Sequence, residues 1–144
     1  MNAVDFAREL IDIDSTTGRE QEAGEWLARS LRSLGYRVDE QPVSDGRRNV
    51  VATIDSPVVV LSTHYDCVPP HFGSLIRDGR LYGRGSCDAK GILAAQVAAV
   101  ERLRQSGETR VGMLFVVGEE RGSDGADVAN ASPIGSQFLI NGEP

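Results

Sequence analysis

The stretch VVVLSTHYDCVPP, Val58 to Pro70, is an apolar run that stops at His64, followed two residues later by Asp66 and then by a pair of prolines. Two further apolar runs end in acids: MLFVV leads into Glu119 and Glu120, and FLIN leads into Glu143. Another acid, Asp88, sits between the glycine-rich YGRGSC and a long Ala/Leu-rich segment. If the three runs are buried, parallel strands, their carboxyl ends meet at the edge where open α/β sheets place their ligand crevice. One imidazole and up to five carboxylates would then converge, and such a cluster repels itself unless a cation neutralises it. Nitrogen and oxygen donors without thiolates suit Zn, Mn or Co at a reactive centre, whereas a structural zinc site would want cysteines.

Each feature also has a plainer explanation. An H-x-D triplet arises by chance in roughly one chain in five of this length, so it carries little by itself. Strand alternation nevertheless puts residues i and i+2 on one face, where Asp66 can reach the ring nitrogen of His64 that holds no metal. Asp88 suits the N-cap of the helix after it, a role compatible with metal binding. GEE at Gly118–Glu120 could be a solvated turn, but two acids at the mouth of a buried strand are costly unless exposed or paired. GRGSCD lacks both the third glycine of a dinucleotide fingerprint and the Gly-Lys-Ser/Thr of a phosphate loop. Cys67 should face away from His64 and Asp66, which argues against a thiol nucleophile. His71 is expected to face solvent, Arg84 and Lys90 to balance the charge of Asp88, and Phe6, Trp26, Leu27 and Leu31 to belong to the core.

The elements that must position these residues alternate between helical and strand periods, the pattern of an α/β fold. VDFARELIDI has an apolar side at helical spacing, and Ser15 to Gly18 break it. REQEAGEWLARSLRSLGY aligns Ala23, Trp26, Leu27, Leu31 and Leu34 on one face and stops at Gly35. YRVDEQPV, NVVATI and VVVLSTH read as strands, and LIRDGRLYG as a hairpin around Asp78-Gly79. AKGILAAQVAAVERLRQSG forms a helix, RVGMLFVV a buried strand, and the last residues a short helix followed by the strand QFLIN. The expected architecture is a three-layer sandwich with a mostly parallel sheet.

Composition narrows the function classes. With 144 residues and a net charge of −6, the chain is expected to form one globular domain that binds neither nucleic acid nor anionic membranes, since its arginines are scattered. The amino terminus lacks the basic and apolar regions of a signal peptide, no run approaches the roughly 20 apolar residues of a membrane span, and a cytoplasmic location is expected. Cys67 and Cys87 show no CxxC spacing and read as free thiols.

Taken in order, STHYDCVPP, LYGRGSCDAKG, VVGEERGSDGA and FLINGEP resemble the metal-site motifs of the dinuclear zinc metallopeptidases and deacylases. That family includes acetylornithine deacetylase, succinyl-diaminopimelate desuccinylase, aminoacylase and carboxypeptidase G. The resemblance implies that His64 and Glu143 bind one metal, that Asp88 bridges two, and that Glu120 binds the second. It further implies that Asp66 orients His64, that Glu119 is the general base, and that a cis peptide follows Asp88. The implied reaction is metal-dependent hydrolysis of an amide bond, with an N-acyl amino acid such as acetylornithine favoured and a dipeptide or carboxypeptidase substrate as the alternative. Two zinc ions, replaceable by Co or Mn, are the implied cofactors. Residues 1–144 would be the amino-terminal part of a catalytic domain, without the lid or dimerisation domain and the carboxy-terminal half. On that expectation the chain alone is an impaired enzyme prone to self-association, or else a non-catalytic metal-binding module.

Overall fold

A computed structural model describes residues 1–144. Helix α1 (Ala3–Ile11) begins where the Asn2 side chain accepts the Val4 and Asp5 amides, and it buries Phe6, Ala7, Leu10 and Ile11. Helix α2 (Gln21–Ser33) buries Ala23, Leu27, Ala28 and Leu31 on one stripe. Strands β1 (Arg37–Ser44) and β2 (Arg47–Thr53) form a hairpin, and β3 (Val59–His64) follows. The short strands β4 (Leu75–Arg77) and β5 (Arg80–Tyr82) form a separate hairpin. Asp78 and Gly79 both have positive φ there, as the expected two-residue turn requires. Helix α3 (Lys90–Gln105), strand β6 (Val111–Val116), helix α4 (Asp124–Ala131) and strand β7 (Phe138–Asn141) complete the chain.

The main sheet has the order β1-β2-β6-β3-β7. β3 runs parallel to both β6 and β7, so the three strands whose ends carry the candidate residues point the same way. β1 pairs antiparallel with β2, and β2 antiparallel with β6. The parallel expectation therefore holds for the functional half, and the sheet as a whole is mixed, because a tight hairpin can only join antiparallel neighbours.

Alternation along the strands divides the core into two layers. Val50, Ala52, Met113 and Phe115 face a cluster of nineteen buried residues supplied with α1, α2 and α3, and it contains Phe6, Leu27 and Leu31 as expected. Trp26 packs against this cluster, with its ring 4.9 Å from that of Phe6. Val51, Val60, Leu114 and Val116 face the opposite side, where Ala129 of α4 and Ile134 cover them. Helices on both faces give the three layers. β7 corrects the expectation of three buried strands: Phe138, Leu139 and Ile140 are each more than half exposed, because β7 is the sheet's edge and neither of its faces is covered. No helix is long and apolar enough to cross a membrane.

Candidate metal centre

The parallel register brings the strand ends together. His64 pairs with Val116 across β3 and β6, and Ser62 with Asn141 across β3 and β7. The chain leaving β6 therefore emerges beside His64, and the chain leaving β7 passes close by. After β6 the backbone turns at Gly118, with φ of 70°, into a single 3-10 turn, Glu119–Arg121. A side chain at Gly118 would strain that left-handed conformation and would meet the Arg47 guanidinium at 2.6 Å. Tight turning there lets both glutamates sit at the sheet edge.

His64 is 1% exposed and Asp66 is fully buried. The His64 Nδ1 lies 3.0 Å from the Asp66 backbone carbonyl and 3.3 Å from Asp66 Oδ1. Both are acceptors, so Nδ1 carries the proton and Nε2 is directed outward. Nε2 faces three carboxylates: Asp88 Oδ1 at 3.0 Å, Glu143 Oε2 at 3.6 Å and Glu119 Oε2 at 3.9 Å. One atom each from His64, Asp88 and Glu143 lies within 4.8 Å of the others, a spacing a metal ion can bridge. The three carboxylates favour a proton on the ring. Burial disfavours the imidazolium, but the hydrogen bond and charge of Asp66, then Asp88 and Glu143, outweigh it and push His64 up to about 9.

Asp66 does more than orient His64. Its Oδ1 accepts the Glu119 amide and its Oδ2 the Glu120 amide, each at 3.1 Å, and the Thr17 hydroxyl donates to Oδ2 at 3.1 Å. Burial acts to raise the Asp66 pKa, but the contact with His64 and the two amides hold it below the usual carboxylate range. One buried carboxylate thus ties the end of β3 to the turn that bears both glutamates.

Glu120 lies outside the cluster of three. Burial, and then the nearby negative charges of Asp88, Asp66 and Glu119, push its carboxyl above the ordinary range while His64 opposes them. Glu120 therefore shares an electrostatic neighbourhood with Asp88, a member of that cluster.

The helix-cap role for Asp88 does not hold: the cap position is Ala89, no side chain caps α3, and the Asp88 carboxylate turns to His64. The Asp88-Ala89 peptide is cis, as the family resemblance implied. Cys67 does face away, its Sγ 4.0 Å from the Ser15 hydroxyl. Cys87 is exposed and outside the cluster, so the donors remain nitrogen and oxygen. That donor set fits a borderline to hard divalent cation.

Three expectations about neighbouring residues need correction. Lys90 is fully buried and donates to the Leu10 and Ile13 carbonyls at 2.9 and 2.7 Å, so it satisfies the end of α1 instead of balancing Asp88. Arg84 donates to the Pro70 carbonyl and covers the Phe72 ring. His71 is half-buried, its Nε2 3.1 Å from the Ile11 carbonyl, so it does not face solvent freely. Thr17 went unnoticed in the sequence because it lies in a stretch whose only signal is that it breaks a helix.

Comparison with known proteins places the fold in a family. Residues 60–144 match the model of peptidase family M20/M25/M40. The chain is 35% identical to a probable carboxypeptidase of Aspergillus clavatus, an alignment that covers 96% of the chain and 38% of the relative. It superposes on a tripeptidase from Staphylococcus aureus with a TM-score of 0.85 and 26% identity, over 99% of the chain and 43% of that structure. An M20 family metallo-carboxypeptidase from Sulfolobus solfataricus shares the fold, with a TM-score of 0.84 and 23% identity over 98% and 37% of the two chains. The chain thus spans well under half the length of the proteins it matches. A family model covering more than half of the sequence, from within β3 to the last residue, identifies the chain as a member of peptidase family M20/M25/M40.

Proposed function

We propose that this chain supplies the metal-binding part of a metal-dependent peptidase that cleaves short peptides. The observation that carries this reading is the His64, Asp88 and Glu143 cluster, in which Asp66 holds the imidazole with Nε2 turned to two carboxylates. His64 Nε2, Asp88 and Glu143 would hold one divalent cation, and Asp88 with Glu120 would contribute to a second. Zinc suits these donors, and cobalt or manganese can replace it. Such cations, when bound, polarise the scissile carbonyl and acidify a water molecule.

The remaining chemistry belongs to side chains of this chain. Glu119 stands at the cluster's edge, 44% exposed, with its amide anchored to Asp66 and its carboxylate 3.9 Å from His64 Nε2. In this reading it takes a proton from the attacking water and passes it to the leaving nitrogen. Asp66 keeps its charge and holds the imidazole in one tautomer throughout.

A peptide substrate is favoured over an N-acyl amino acid because the similar proteins are named as a carboxypeptidase and a tripeptidase. Deacylation of acetylornithine, the reaction first expected, is the same amide chemistry and stands second. The test pairs zinc calorimetry with hydrolysis assays on dipeptides and N-acetylornithine. One zinc should bind appreciably and a second poorly, since the second is offered only Asp88 and Glu120. Replacing His64 by Ala should weaken the first at least about 100-fold, more than loss of a ligand's hydrogen-bonding partner costs. Whatever turnover the chain has should favour dipeptides. Unchanged zinc affinity in His64→Ala would overturn the site, and faster cleavage of N-acetylornithine would overturn the substrate class.

A further inference from the structure

Glu119 and Glu120 must keep a fixed position relative to His64, yet they lie on a one-turn element with no buried residue of its own. Their anchor is the Asp66 carboxylate, which receives four donors: His64 Nδ1 and the Glu119 amide at Oδ1, the Glu120 amide and the Thr17 hydroxyl at Oδ2. Three of these donors come from residues already assigned to the centre. Thr17 comes from the loop between α1 and α2, outside the residues that match the family model.

That loop is built into the end of β3. Thr16 bridges Cys67 in a parallel ladder; the Cys67 amide donates to the Ser15 carbonyl at 3.0 Å, and the Thr17 amide to the Cys67 carbonyl at 3.1 Å. The buried Ser15 hydroxyl donates to the Tyr65 carbonyl at 2.6 Å. A few residues on, buried Glu20 pairs with Arg47 at 3.0 Å, and Arg47 reaches Asp124 at the start of α4 at 3.1 Å. The backbone that carries Thr17 is therefore held from both sides, and its hydroxyl approaches Asp66 from a fixed direction.

We propose that Thr17 is a positioning residue of the metal centre, locking the rotation of the Asp66 carboxylate so that one group aligns both the His64 ring and the Glu119-Glu120 turn. This rests on the assignment of His64, Asp88, Glu120 and Glu143 to metal binding. Without the hydroxyl, Oδ2 keeps only the Glu120 amide. The carboxylate can then turn about its Cβ–Cγ bond, and each turn that favours His64 loosens Glu120. Such a loss of alignment reaches the metal without any contact between Thr17 and a ligand atom.

The experiment compares wild type with Thr17→Val, Thr17→Ala and Thr17→Ser by two readouts. In the metal-free protein, NMR follows hydrogen exchange of the Glu119 and Glu120 amides. Both donor-less variants should speed it about ten- to a hundredfold, the range for one charge-assisted hydrogen bond, while Ser restores it. In the second readout, cobalt titration followed by visible absorption should show about tenfold weaker binding in Val and Ala, with a wild-type spectrum and affinity in Ser. Thr17 is half-buried, and the Ala variant keeps the comparison open if Val does not fold. Unchanged exchange, unchanged cobalt affinity, or a Ser variant as defective as Val overturns the proposal. If wild type binds no cobalt at all, the proposed function fails, and the amide readout alone then decides whether Thr17 locks Asp66.

Discussion

The ends of β3 and β7 both deliver a residue to the proposed metal cluster, and they are built in opposite ways. At β3, His64 and Asp66 are sealed from solvent, and every acceptor of the Asp66 carboxylate is occupied. At β7, all four residues are exposed, Glu143 is 40% exposed, and its only side-chain hydrogen bond is a 3.3 Å contact from Asn141. One side chain is buried and held by several contacts; the other is exposed and held by one hydrogen bond. In the proposed metal centre, a rigid anchor would thus be combined with an exposed one, the rigid half setting direction and the exposed half adjusting to the ion.

The sharpest way to break this comparison is to remove the anchors. Asp66→Ala takes the carboxylate from beside the buried imidazole and leaves the Glu119 and Glu120 amides and the Thr17 hydroxyl without their acceptor, and should cost about 3–5 kcal/mol of stability, the range for uncoupling a buried pair. Glu143→Gln should change stability by no more than about 0.5 kcal/mol, as for an exposed substitution. Urea denaturation of the metal-free variants measures both, and similar losses would show that the two ends are not built differently.

Proton linkage sharpens the role of the rigid end. With His64 held up to about 9, zinc must expel a proton from the ring at neutral pH. Affinity should therefore rise about tenfold per pH unit from roughly 7 and level off above the raised value. Calorimetry at pH 7.5 in buffers of different ionisation enthalpy should find about one proton released per ion through this group. In the metal-free protein the sign reverses. A raised imidazole pKa adds stability that is complete below the ordinary value near 6.5 and is lost as pH climbs through about 9. Urea midpoints should fall across that window in wild type and stay flatter in His64→Ala; a flat wild-type profile would exclude the raised value.

The smallest effect on stability is expected at the compliant edge. Leu139→Lys should move the unfolding free energy by less than about 0.5 kcal/mol, because Leu139 is 57% exposed. The same charge on an apolar edge strand should nevertheless suppress pairing between chains. Sedimentation velocity should show wild type associating with concentration and Leu139→Lys remaining monomeric. A monomeric wild type would mean that the bare edge is already protected.

Much of this was legible in the residues. Periodicity located every main helix and strand, because apolar side chains recur at 3.6 or 2 residues wherever a face must be buried. Asp78-Gly79 announced its hairpin through the positive φ that such turns demand. The burial of Lys90 was not legible: an ammonium in the core is satisfied only where α1 ends over α3, a juxtaposition no local pattern encodes. Neither was the exposure of β7, whose FLIN is as apolar as an interior strand and differs only in what lies beside it.

By itself, the sequence determined the chemical types at the centre and their attachment to element ends: an imidazole at the end of β3, paired acids after β6, an acid after β7 and an acid before α3. The tertiary structure decided how they combine. Glu119 and Glu120 are chemically identical neighbours, and no spacing rule separates them. A parallel register sets the turn after β6 beside His64, and the amide bonds from that turn to Asp66 fix where each glutamate starts. Thr17 enters through the same carboxylate from 49 residues away. Strand and helix periods arise from interactions within a segment and can be read along the chain, whereas the partners of a buried carboxylate depend on which segments meet in space.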